Sequence, residues 1–115
     1  VCVTGIGPFL GADIETDTII RHIDYLVERI GVDHVGIGID YSFDTEHTDL
    51  PPGEDPKLWW PPVAGANFDF TEVSFVAPER LPDIAVKLLV HGYKDADVAA
   101  IMGGNFMRVA EKCWR

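Results

Sequence analysis

One acid closes the most apolar run of this chain, His34-Val35-Gly36-Ile37-Gly38-Ile39-Asp40-Tyr41. β-Branched residues separated by small ones predict a buried strand of a parallel sheet. An unpaired carboxylate is costly inside such a strand, but ligands and reactions gather at the C-terminal tips of parallel strands. Asp40 is therefore the first candidate for moving a proton or holding a cationic substrate group. The plainer alternative is a loop acid that satisfies backbone N–H groups. Tyr41 can line the same pocket or pack in the core. Phe9, near the tip of an earlier strand, has the same two options.

The chain's four histidines are the other groups with obvious chemistry. His22 falls on a predicted helix, His34 begins a strand, His47 lies in a long loop and His91 precedes a helix-ending glycine. No two have the i, i+4 spacing of a helical zinc site. His47 among Asp44, Glu46 and Asp49 comes nearest to a metal cluster, but this Pro-rich stretch lacks ligand spacing. No metal ligand is assigned. Gly103-Gly104 is followed by no phosphate-loop pattern and reads as a helix break. Asn105 and Arg108 read as a helix cap and a C-terminal anchor.

The elements that must position Asp40 follow from the pattern. Val1 to Ile6 is apolar and predicts a strand, and Gly5, Gly7, Pro8 and Gly11 then interrupt regular structure. Thr16 and Asp17 are placed to cap a helix whose apolar stripe is Ile19, Ile20, Ile23, Leu26, Val27 and Ile30, with Gly31 as a left-handed stop. The strand ending at Asp40 comes next. Residues 41–78 hold six of the eight prolines together with Phe43, Trp59, Trp60, Phe68, Phe70 and Phe75. A loop of that length and aromatic content predicts a lid or binding loop. Trp59 and Trp60 suit a pocket wall or a subunit contact equally.

Pro78, Glu79 and Pro82 open a further helix with Ile84, Ala85, Leu88 and Leu89 inward and Gly92 at its end. Asp95 is placed to cap a third helix running to about Met102, and Asn105 a last short one carrying Phe106, Val109 and Ala110. Strands alternating with amphipathic helices indicate parallel α/β architecture. Two strands do not make a stable sheet on their own. The chain is accordingly expected to be part of a larger α/β protein or to pair with another copy, with exposed strand faces and open strand edges.

The bulk numbers exclude some partners. The 115 residues carry a formal net charge of −10, which argues against nucleic acid and anionic membranes. No apolar stretch is long enough to span a bilayer. Cys2 and Cys113 are too few for a disulfide framework and read as small buried hydrophobes.

Several of these segments, taken in series, resemble the C-terminal part of the membrane (renal) dipeptidase family. They are Val3-Thr4-Gly5-Ile6-Gly7-Pro8-Phe9-Leu10-Gly11, Arg21-His22-Ile23-Asp24-Tyr25-Leu26, Gly31 through Tyr41, Gly92-Tyr93, and Gly103-Gly104-Asn105-Phe106-Met107-Arg108-Val109. The resemblance covers nearly the whole chain. It implies the last two strands, with their helices, of a (β/α)₈ TIM barrel whose whole domain is a zinc metallopeptidase of the amidohydrolase-like class. It also implies two zinc ions that activate a hydroxide for attack on a dipeptide or similar small amide. Asp40 matches the family's strand-ending acid, which contacts the substrate amine and assists proton transfer. The family's second acid is displaced here, since the run reads Asp40-Tyr41-Ser42-Phe43-Asp44.

The family's metal ligands and its substrate-carboxylate Arg come from earlier segments with no counterpart in this sequence. The expectation is therefore a dipeptidase portion with Asp40 catalytic, Asp40, Tyr41 and Phe9 substrate-binding, zinc held outside the chain, and little activity by itself. Two other classes stay open: a non-catalytic fragment or interaction module, and a different amidohydrolase-type barrel enzyme. A homodimer contact through the aromatic loop is compatible with all three. The compartment is open, with cytoplasm favoured for a bacterial-type member.

Overall fold

The computed structural model describes residues 1–11, 13–43, 53–55, 58 and 73–114. The expectations placed on Asp44, Glu46, His47, Asp49, Trp59, Trp60, Phe68 and Phe70 lie outside these residues. In chain order the elements are strand β1 (Cys2–Thr4), helices α1 (Gly7–Leu10) and α2 (Thr16–Ile30), a 3₁₀ turn (Val32–His34) and strand β2 (Gly36–Gly38). After the long loop come a 3₁₀ turn (Pro78–Arg80), α3 (Leu81–His91), α4 (Asp95–Ala99), a wide π-type turn (Ala100–Gly104) and α5 (Asn105–Cys113).

The two strands pair in parallel, with Cys2, Val3 and Thr4 opposite Gly36, Ile37 and Gly38. Each is only three residues long. Val3 and Val35 point into a core built chiefly by helices: Ile19, Ile20 and Ile23 of α2, Ile84 and Leu88 of α3, Val98 of α4, and Ile101. Ile23, Ile84, Leu88, Ile101 and Val35 are fully buried. Each such side chain contributes about 1.5–3 kcal/mol by leaving water. The opposite face of the sheet carries Cys2, Gly36 and Gly38, and a Cβ added at Gly38 would lie 3.2 Å from that of Cys2. Cys2 and Gly38 are exposed there, as expected for a sheet this narrow. Among the described residues, the named strands form a two-stranded sheet and nothing wider.

The expected architecture is corrected here. The chain does not form a piece of a TIM barrel: the described residues are mostly helical and carry two very short strands. The apolar run before Asp40 is long enough for a barrel strand, but Val32–His34 turns into a 3₁₀ helix and only Gly36–Gly38 pairs. The helices close the core around the sheet's one covered face.

Local expectations also shift. Gly7–Leu10 forms a short helix, with Pro8 in its first turn, where only a break was read. Glu15, not Thr16, precedes α2, and Lys94, not Asp95, precedes α4; neither caps with its side chain. Gly31 has positive φ but an extended ψ of 151°, so it is no left-handed stop. The paired glycines bend the chain without ending the helical path, Gly103 adopting φ 154°. Leu89 of α3 is exposed instead of inward, the buried residues of that helix being Ile84 and Leu88, and on α5 Phe106 and Val109 are exposed while Asn105 and Ala110 are buried. Cys2 and Cys113 are free and exposed instead of buried. Their small side chains gave no register from which to predict that.

Candidate functional site

Asp40 lies two residues beyond β2, at the C-terminal end of the parallel pair. Its approach is fixed by backbone. The Gly5 N–H donates to the Ile39 carbonyl at 3.0 Å, directly before the acid. A Cβ at Gly5 would come within 2.6 Å of that oxygen, so only glycine permits the approach. The returning loop adds a third strand-like segment on the other side. Val76 N–H donates to Gly5 carbonyl at 2.8 Å, Gly7 N–H to Ser74 carbonyl at 2.8 Å, and Ile6 bridges Phe75 in antiparallel sense.

Asp40 itself has φ 51°, and among the described residues it is the one non-glycine with positive φ. Asp tolerates this region better than most side chains, but strain of this kind gathers at functional sites. The residue is exposed. Its carboxylate is therefore open to a solvent-borne cation.

Three aromatic rings form a cluster that begins at the next residue. Tyr41 packs edge-on against Phe43, with centroids 5.0 Å apart, and against Phe75 at 6.0 Å. Tyr41 is half-buried and Phe43 is 89% exposed. Phe9 lies on α1, past the end of β1, and is half exposed at the same end of the sheet. The structure thus groups Tyr41, next to Asp40 in the chain, with Phe43 and Phe75, which read from sequence only as loop aromatics needing burial. Phe75 is brought there by the backbone bridge at Ile6, a contact between segments far apart in sequence, whereas Phe43 is two residues from Tyr41.

The opposite end of the strands is a structural clamp. The Asn105 amide donates to the Val32 and Val35 carbonyls at 2.8 Å each, and Arg108 donates to the Asp33 carbonyl at 2.6 Å. The N-terminal amine donates to the His34 carbonyl at 2.7 Å. Asn105 has helical φ and ψ, so the expected cap is in fact a cross-chain tie. A cleft of about 760 Å³ opens beside this clamp, lined in part by Val1, His34, Phe106 and Arg108. It does not include Asp40.

A second polar cluster joins α2 to the end of α3. Asp24 accepts from the Tyr93 hydroxyl at 2.7 Å and lies 2.8 Å from His91 Nε2. Burial, with the adjacent Asp24 carboxylate, holds the Tyr93 phenol protonated well above its usual range. The sequence reading had set His91 aside as a residue before a glycine. It ends α3, where its ring also stacks on Tyr93 at 6.4 Å. His22 is on α2, with Nε2 3.3 Å from the Leu10 carbonyl, and His34 lies in the 3₁₀ turn instead of opening the strand.

Among the described residues, no three His, Cys, Asp or Glu side chains converge as a metal site. The described residues therefore do not fit the pair of zinc ions that the sequence resemblance implied. Also among the described residues, no helix is long and apolar enough to cross a membrane.

Comparison with known proteins is sparse. No family model matches the chain, and no solved structure matches it. Among curated proteins the chain is 29% identical over 104 residues to an uncharacterized protein in the pqqA 5′ region of Klebsiella pneumoniae. That alignment takes in 90% of this chain and 29% of the relative, so the chain spans less than a third of the relative's length.

Proposed function

We propose that this chain supplies the substrate-orienting acid of a dipeptidase, an enzyme that hydrolyses dipeptides or similar small amides. The observation that carries the reading is Asp40: an exposed carboxylate in a strained backbone conformation, held at the C-terminal end of two parallel strands. The series of segments resembling the dipeptidases supports it from the sequence side. An exposed carboxylate suits the protonated amine of a dipeptide, because the pair forms charge-assisted hydrogen bonds. The same group can accept and return a proton as the amide bond breaks. Tyr41 borders the site, and Phe9 adds apolar surface at the same end. The ligands of any metal lie outside the described residues, and no step is assigned to them.

The test is zinc content and dipeptide turnover of the 115-residue chain, measured together. We expect neither stoichiometric zinc nor turnover from the chain by itself. Tight zinc at a fixed ratio together with dipeptide hydrolysis would show that the ligands lie within the chain and would overturn their placement elsewhere. A zinc-free chain that fails to bind a dipeptide amine at Asp40 would overturn the role of the acid.

A further inference from the structure

We infer that Tyr41, Phe43 and Phe75 form an apolar platform that makes the Asp40 site selective for amines carrying a bulky apolar side chain. The inference rests on the reading of Asp40 as the amine-binding acid. In dipeptide terms, the favoured substrates have a large aliphatic or aromatic amino-terminal residue.

The geometry points there in three ways. First, the rings form one connected group, with Tyr41 in edge-on contact with both Phe43 and Phe75. Second, the group is anchored. Phe75 is bridged to Ile6, its neighbours Ser74 and Val76 are hydrogen-bonded to Gly7 and Gly5, and Gly5 is bonded to Ile39. The rings and the acid therefore share one backbone frame. Third, the outermost ring remains in water, Phe43 being 89% exposed. An exposed ring three residues past an exposed carboxylate, in contact with the intervening Tyr41, offers apolar surface at the same end of the strands as a negative charge. An α-amino compound matches this, because its ammonium and side chain branch from one carbon. The chain's net charge of −10 further favours a cation. An aromatic face also attracts an ammonium directly.

The experiment titrates the chain with L-phenylalaninamide and with glycinamide, two small amides with the same ammonium and different side chains. Binding is read by calorimetry and by amide shifts of residues 39–43. Phenylalaninamide should bind about tenfold more tightly, the gain expected from partly burying one phenyl ring. Phe43→Ala, at a solvent-exposed position, should weaken phenylalaninamide far more than glycinamide and so remove most of that ratio. Asp40→Asn should weaken both ligands and keep the ratio. Equal affinities for the two amides, or a ratio that survives Phe43→Ala, would overturn the platform and leave the Asp40 reading standing. Failure of both amides to bind would overturn the Asp40 reading and the platform with it.

Discussion

The two ends of the short parallel sheet are built on different principles. At the N-terminal end, carbonyls of residues 32–35 accept from Asn105, Arg108 and the chain's own amine. At the C-terminal end the long-range ties run between backbone groups, Gly5 to Ile39 and Val76 to Gly5, and Asp40 and Phe43 beyond them are exposed while Tyr41 and Phe75 are half-buried. One end spends its polar groups on holding the fold. The other holds its backbone without using the Asp40 side chain and leaves a carboxylate exposed beyond it. The lesson is that side chains which fix position and those proposed to meet a ligand are separated along the same strand.

Substitutions at each end sharpen the contrast. Asn105→Ala should have the largest effect. It removes two hydrogen bonds, one from the buried Val35 carbonyl and one from the part-buried Val32 carbonyl, and we expect about 2–3 kcal/mol of lost stability in denaturant unfolding. Gly5→Ala comes next. Its Cβ would collide with the Ile39 carbonyl, for an expected loss of about 2 kcal/mol and displaced amide shifts at Asp40. A Gly5→Ala variant with wild-type stability would mean that the C-terminal end is not tightly fitted.

Asp40 should divide stability from function. Asp40→Val forces a β-branched residue to positive φ and should cost about 1–2 kcal/mol, whereas Asp40→Gly should be neutral or slightly stabilising. Both should lose affinity for an amine ligand. Asp40→Gly that unfolds more easily than wild type would show the carboxylate to be a structural cap.

The smallest effect lies away from both ends. Tyr93→Phe removes the bond to Asp24 and should cost about 1 kcal/mol at neutral pH. The Tyr93 phenol is held protonated above its ordinary value of 10.0 in the folded chain. Its contribution is therefore complete below pH 10 and declines as pH rises above that, because the unfolded chain ionises first. The alkaline fall in the unfolding midpoint should be shallower in Tyr93→Phe, which thermal melts across that range would show.

The helices were largely legible from sequence, because the stripe of Ile19, Ile20 and Ile23 and that of Ile84 and Leu88 are set by helical periodicity, and these residues are buried. The parallel sense of the two strands was legible for a similar reason. The wider architecture was not. A buried-looking run such as His34 to Asp40 does not state how many strands lie beside it, and the barrel expectation failed on that point. Asn105 shows the same limit at one residue. A position suited to capping its own helix instead ties Val32 and Val35, some seventy residues away. Asp40 was found from its place after the apolar run. Phe75 was not legible as a neighbour of Tyr41, because their contact depends on the loop's return past Ile6.

The most direct test of the role given to Asp40 is dipeptide turnover in the whole protein proposed here, with zinc content measured on the same sample. Asp40→Asn should lower turnover at least about tenfold and leave the zinc content unchanged. Turnover equal to wild type, or loss of zinc along with activity, would contradict the account.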